Sequence, residues 1–229
     1  RTELGVFRRN GAYADFVTVP ARFVHRLDAG TDMRQAALCE PLAVVLKGMR
    51  RLMPALGAAP NAERRSAVIG AGCIGHICAV ELARRGYPVT IFDRNAARLE
   101  VFKGRTGIET SQDLDRLGEF NVVVEATGHP EVLDKALHAA PAGATLLLLG
   151  LPYARKEFSF EAIAAFDKTV VGSVGSTAED FAEAIRLMPG LDLSPLLACR
   201  LPLSAFAEAW DLARSGTRLK IILDVEERS

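Results

Sequence analysis

The chain has 229 residues, 49% of them hydrophobic, and its 28 basic and 28 acidic residues cancel. That length allows one large domain or two small ones with ample apolar content for a core, and the even charge advertises no nucleic-acid or anionic-membrane surface. Cys39, Cys73, Cys78 and Cys199 form no C-x-x-C pair, which excludes a self-contained zinc finger and suggests reduced thiols in a cytoplasmic protein, while no run approaches the ~18–20 apolar residues of a membrane span and no leader is expected.

In chain order, residues 12–27, "AYADFVTVPARFVHRL", predict two short strands joined at "VPAR". From Asp32 to about Leu52 apolar residues recur at three- and four-residue steps, which predicts helix; Pro41 marks a short turn before it and a new helix start. "MPALGAAPNAERR" (53–65) predicts a linker. Strands are then expected at 66–70, 88–92, 108–110, 121–125, 144–149 and 169–172, with helices at 73–85, 95–103, 130–139 and 178–188. "NVVVEAT" and "ATLLLLG" are continuous apolar runs, as in strands covered on both faces. Strands interleaved with helices imply an α/β fold with a doubly wound parallel sheet. The tail predicts an amphipathic helix at 201–216, ended by Gly216, and a last strand in "LKIILDV".

Gly70, Gly72 and Gly75 give G-x-G-x-x-G at a strand-to-helix junction. The first glycine permits the tight turn, the second lets a pyrophosphate approach the backbone, and the third lets helix and strand pack closely. N–H groups around Cys73 and Ile74, at the new helix's first turn, would face the phosphates. Asp93 ends the next strand, roughly 20 residues on, where a carboxylate accepts hydrogen bonds from the ribose hydroxyls. It would repel a 2′-phosphate, which favours NAD over NADP. Arg94 follows it, and Arg98 is placed to pack against the adenine. Methyltransferases share a glycine loop and strand-end acid, but usually lack the third glycine and the following "LLLLGLP" strand.

The segments "GAYADFVTVPARFVHRL", "AALCEPLAVVLKGMRR", "VIGAGCIG…IFDRNAARL", "VVVEATG", "LLLLGLP", "VVGSVGS" and "CRLPLSAFAEAW…RLKIILDV" resemble, in order, the medium-chain dehydrogenase/reductase family. The likeness is to its zinc-dependent polyol, sugar and threonine dehydrogenase branch and covers almost the whole chain. It implies a Rossmann domain at 51–200, flanked by parts of a GroES-like catalytic domain at 1–50 and 201–229. It implies hydride transfer between NAD and the carbinol carbon of an alcohol, polyol or sugar, with a catalytic zinc as Lewis acid. By the same resemblance, Ala126 and Thr127 belong to the cofactor site. Leu149, Gly150, Leu151, Ser173, Val174 and Gly175 would line the nicotinamide end, backbone groups there fixing the carboxamide. Glu40, in "CEPL", would be the metal-site glutamate, as ligand or as partner of zinc-bound water. Cys39 beside it reads as packing, and His25, His76, His129 and His138 are assigned to no metal. Family members commonly pair through the sheet edge near 144–176, so a homodimer or homotetramer is expected.

The resemblance also has gaps. The family's first cysteine ligand, its Gly-His-Glu segment and its four-cysteine structural-zinc lobe have no counterpart here, so the chain reads as lacking the N-terminal part of the catalytic domain. It would then hold no zinc and be inactive alone, with residues 12–27 as strands lacking sheet partners. Polyol-specific members tend to carry arginine where Gly175 stands, which leaves the substrate open. The alternatives are a zinc-independent NADPH quinone or enoyl reductase, or a non-catalytic dinucleotide-binding module. A short-chain dehydrogenase fits poorly, because "YARK" (Tyr153–Lys156) has the wrong step for Tyr-x-x-x-Lys.

Overall fold

A computed structural model describes residues 3–5, 7–57, 63–151 and 155–225. The chain divides into two compact units, one of Arg1–Ala37 with Leu193–Ser229 and one of Leu38–Asp192.

In the first unit, β1 (Glu3–Leu4) pairs with β2 (Arg8–Arg9). Helix α1 (Met33–Ala36) is capped by Asp32, whose side chain accepts the Arg34 N–H. The two strands expected over 12–27 do not form. That stretch is irregular apart from a 3-10 turn at Ala21–Phe23, and Phe16 stands 89% exposed. The β-forming composition is real, but a strand is held by its neighbour's hydrogen bonds, and no ladder forms here; the Phe23 and Val24 N–H groups bond locally to the Pro20 and Ala21 carbonyls instead.

The second unit opens with α2 (Cys39–Leu56), in which Pro41 occupies the third position. The first helical N–H groups have no intrahelical partner, so proline costs nothing there. The helix runs into the expected linker and carries Pro54 in its last turn, because buried Leu52 and Leu56 hold that turn down. There follow β3 (Ser66–Ile69), α3 (Cys73–Arg84), β4 (Val89–Phe92), α4 (Ala96–Leu99), β5 (Ile108–Ser111), β6 (Val122–Glu125), α5 (Pro130–Ala139), β7 (Thr145–Leu148), α6 (Glu161–Ala164), β8 (Thr169–Gly172) and α7 (Ala178–Leu187). The six strands β3–β8 form one parallel sheet in the order β5-β4-β3-β6-β7-β8.

The apolar runs follow from this layering. Ala67, Ile69, Phe92, Val123 and Leu146 pack on one face with Leu133, Ala136 and Leu137 of α5. The alternate positions Val68, Ile91, Val124 and Leu147 are also fully buried, and α2 and α3 contact the sheet. Strands with both faces covered lose the polar alternation of a half-exposed sheet. Each fully buried Val, Leu, Ile or Phe side chain contributes roughly 1.5–3 kcal/mol. Helix α7 packs along α2, and Asp180, 3% exposed, joins them: it closes a capping box with Thr177 and receives the Arg50 guanidinium at 3.0 and 3.1 Å.

The chain returns to the first unit through β9 (Arg200–Pro202), α8 (Phe206–Ser215) and β10 (Ile222–Asp224), the two strands pairing in parallel. Gly216 ends α8 in the left-handed region at φ +66°. The helix is shorter than 201–216 because its first residues become β9 and a 3-10 turn. Expected boundaries at 50 and 200 fall instead at 37/38 and 192/193. The physical reason is α2, whose apolar face (Leu42, Val45, Leu46, Met49) is buried within the second unit.

Candidate functional site

Strand order reverses between β3 and β6, which opens a crevice where their C-terminal ends part. Gly70–Gly72 leave β3 there, and Ala126 and Thr127 leave β6. Gly70 turns the chain at φ +102°, and a Cβ on it would lie 2.8 Å from Thr127 Cγ2. On Gly75 a Cβ would lie 1.7 Å from the Gly70 carbonyl oxygen; only glycine lets α3 pack so close to the turn.

Gly72 differs. Its backbone is ordinary (φ −78°, ψ −169°), and a Cβ there would meet nothing within 4 Å. The protein's own packing gives no reason for a glycine, yet the residue lines the crevice. It is also the N-cap of α3 and offers no side-chain cap. The first intrahelical bond runs from His76 N–H to the Gly72 carbonyl at 2.8 Å. The N–H groups of Cys73, Ile74 and Gly75 therefore precede the helical ladder.

Asp93 is held tightly. Oδ2 accepts the Ala71 N–H at 2.8 Å and Oδ1 the Asn95 N–H at 2.8 Å, with Arg98 Nη1 3.7 Å from Oδ2. Gly70, Gly72, Asp93, Arg94, Arg98, Ala126 and Thr127 thus come together around one crevice of about 440 Å³. Gln112, Leu114 and His129 line it too; sequence reasoning missed them. The signal was available, since each follows a strand whose end reaches the same side of the sheet.

Glu125 was also missed. It is 2% exposed at the end of β6, and its carboxylate accepts the N–H groups of Thr127 and Gly128, at 2.6 and 3.1 Å, and the Thr127 hydroxyl. The acid closing the run "VVVEATG" was the visible sign. A buried carboxylate needs such donors, so Glu125 shapes the β6 turn.

Farther along the sheet, Gly150, Leu151, Ser173 and Val174 line a second cleft of about 360 Å³ with Leu148, Lys47 and Arg51. Leu149 is buried, its side chain against Gly48, so only its main chain is placed to meet a ligand. Gly175 lies just beyond Val174 at φ +66°.

Glu40 is exposed in the first turn of α2. Cys39 beside it is buried with Sγ 3.6 Å from Met188 Sδ, and burial pushes its thiol pKa up. His76 is fully buried against the Phe102 ring, whereas His129 and His138 are exposed at α5. Among the described residues no three His, Cys, Asp or Glu side chains gather to hold a metal ion. Among the described residues, Glu40 is therefore not part of a complete zinc-ligand set.

Residues 33–225 match the family described as "Glucose dehydrogenase C-terminus". The chain belongs to the zinc-type medium-chain dehydrogenase/reductase family. It is 30% identical over 237 residues to an L-threonine 3-dehydrogenase of Saccharopolyspora erythraea, with 96% of this chain and 66% of that protein covered. An L-galactonate-5-dehydrogenase of Escherichia coli is 27% identical, over 89% of this chain and 62% of the relative. Among solved structures, galactitol-1-phosphate dehydrogenase from Escherichia coli superposes with a TM-score of 0.79 at 25% identity, covering 95% of this chain and 68% of that one. This medium-chain dehydrogenase chain therefore spans somewhat less than two thirds of the length of the curated relatives just named.

Proposed function

We propose that the crevice binds NAD(H) and that the chain supplies the cofactor half of a zinc-type dehydrogenase, moving a hydride between nicotinamide C4 and the carbinol carbon of an alcohol, polyol or sugar. One observation carries this: Gly72, conformationally ordinary and sterically free, sits at the start of α3, where the first N–H groups precede the helical ladder, and next to Ala71, whose N–H Asp93 accepts. A glycine there is explained by a ligand that fills the space its side chain would take. A diphosphate is that ligand's chemistry, since amides at a helix start attract negative charge. Asp93 accepts one N–H on each oxygen, and each oxygen keeps a lone pair for a ribose hydroxyl. Its charge disfavours a 2′-phosphate, so NAD is preferred over NADP.

The cofactor would run along the crevice toward the ends of β7 and β8. Gly70, Gly72, Cys73, Ile74 and Gly75 take the diphosphate; Asp93, Arg94 and Arg98 take the adenosine; Ala126 and Thr127 form the opposite wall. Gly150, Leu151, Ser173, Val174 and Gly175, with the Leu149 main chain, hold the nicotinamide. In a zinc-type dehydrogenase a bound zinc would supply Lewis-acid chemistry at the alcohol oxygen. Glu40 would be this chain's contribution to the metal's surroundings.

A second copy pairing along β8 is supported by that strand's position at the sheet edge and by exposed Val170, so a homodimer or homotetramer is the expected assembly. A cytoplasmic location fits four free thiols. Among the described residues no helix is long and apolar enough to cross a membrane. The test is a titration of the purified chain with NADH and NADPH. Tighter binding of NADH is expected; equal affinities would remove the cofactor preference, and binding of neither would remove the reading.

A further inference from the structure

Ser173 N–H donates to the Leu148 carbonyl at 3.1 Å, the last rung before the chain leaves the sheet after β8. One residue on, the Val174 carbonyl oxygen receives the ammonium of Lys47 at 2.7 Å. Lys47 stands on α2, 127 positions away in the chain, on a helix fixed by its buried apolar face. A charge-assisted bond to a main-chain oxygen is short and strong. Arg51, one turn along α2, lines the same cleft.

The consequence lies in the peptide plane. Val174 C=O and Gly175 N–H belong to one peptide unit; it is trans, since the described chain has no cis bonds, and in a trans unit the two groups point in opposite directions. Lys47 holds the carbonyl toward α2, so the Gly175 N–H is turned the other way. Among the described residues that N–H has no hydrogen-bond partner. The neighbouring Ser173 Oγ is buried and also without a partner.

We propose that Lys47 is a positioning residue for the nicotinamide ring: its bond to Val174 orients the Gly175 N–H as a donor to the carboxamide oxygen. This rests on the dinucleotide reading above. Lys47 touches neither the diphosphate nor the adenosine in this arrangement, so its removal acts on one end of the cofactor. Without it the 174–175 peptide is free to rotate, and the carboxamide loses a fixed donor.

The experiment compares NADH with ADP-ribose, which lacks the nicotinamide, on the full chain and on Lys47→Met. The variant should weaken NADH roughly tenfold while ADP-ribose changes by less than about twofold. Lys47→Arg, which retains a charged donor, should restore most of the difference. A general loosening of the fold would weaken both ligands together, and that result, or no change in either, overturns the inference while leaving the dinucleotide reading in place. Should K47M fail to fold, as judged by circular dichroism, Lys47→Gln takes its place in the same comparison. If the unmodified chain binds neither ligand, the dinucleotide reading fails and the role of Lys47 fails with it.

Discussion

Asp93 Oδ2 and the Ala71 N–H are joined by a 2.8 Å hydrogen bond that ties the end of β4 to the glycine loop after β3. The residue proposed to recognise the ribose therefore also braces the loop proposed to hold the diphosphate. Removing the carboxylate has two effects at once. Asp93→Gly should narrow the preference for NADH over NADPH, and it should also cost about 1–3 kcal/mol by releasing the Ala71 and Asn95 N–H groups. Parallel fluorescence titrations and urea unfolding separate them. Unchanged selectivity with lost stability would leave Asp93 a purely structural brace.

The glycines of the loop should divide by substitution. Gly75→Ala places a methyl 1.7 Å from the Gly70 oxygen, and such overpacking costs about 1–3 kcal/mol or more. Gly72→Ala should cost up to about 1 kcal/mol, because alanine is a poorer N-cap than glycine, while raising the Kd for NADH by tenfold or more, roughly 1.4 kcal/mol at the least. Calorimetry on both variants checks this. A Gly72→Ala protein that binds normally would take away the observation on which the cofactor reading stands.

His76 should impose an acid sensitivity on the second unit. Burial, with the Arg105 cation as a smaller contribution, lowers its pKa from 6.5 to about 4. The unfolded chain takes up this proton below about 6.5, while the folded chain refuses it until about 4. The unfolded state thus binds more protons in that window, and stability falls as pH drops through it, by about 3 kcal/mol in all. Above about pH 6.5 the group contributes no pH dependence. Both ring nitrogens lack partners among the described residues, so His76→Leu should be no less stable at neutral pH and should flatten the curve between pH 4 and 6.5. Urea midpoints of the two proteins across that range supply the measurement; parallel curves would mean the histidine finds a proton acceptor when folded.

Glu125→Ala should strip the β6 turn of its acceptor. The Thr127 and Gly128 N–H groups would lose their partner, at a cost of about 1–3 kcal/mol, and NADH affinity should drop because Thr127 forms one wall of the crevice. Equilibrium unfolding with a matched titration tests both parts. Loss of stability with full affinity would separate the turn from the site.

The sequence by itself determined the parallel sheet, the glycine turn and the acid after β4. Runs such as "VVV" (122–124) and "LLLL" (146–149) are apolar at consecutive positions because both faces of the sheet are covered, and that demand is local enough to read from spacing. Tertiary structure alone decided what residues 12–27 become, where the units divide and what Lys47 does. Tyr13, Phe16 and Val17 carry strand propensity, but a ladder requires a neighbour, and propensity names none. Helix α2 joins the second unit through side chains that meet α3 and α7 across long gaps in the chain. The bond from Lys47 to Val174 spans 127 positions. No periodicity encodes it, because it exists only once two separate elements have been packed against the same sheet.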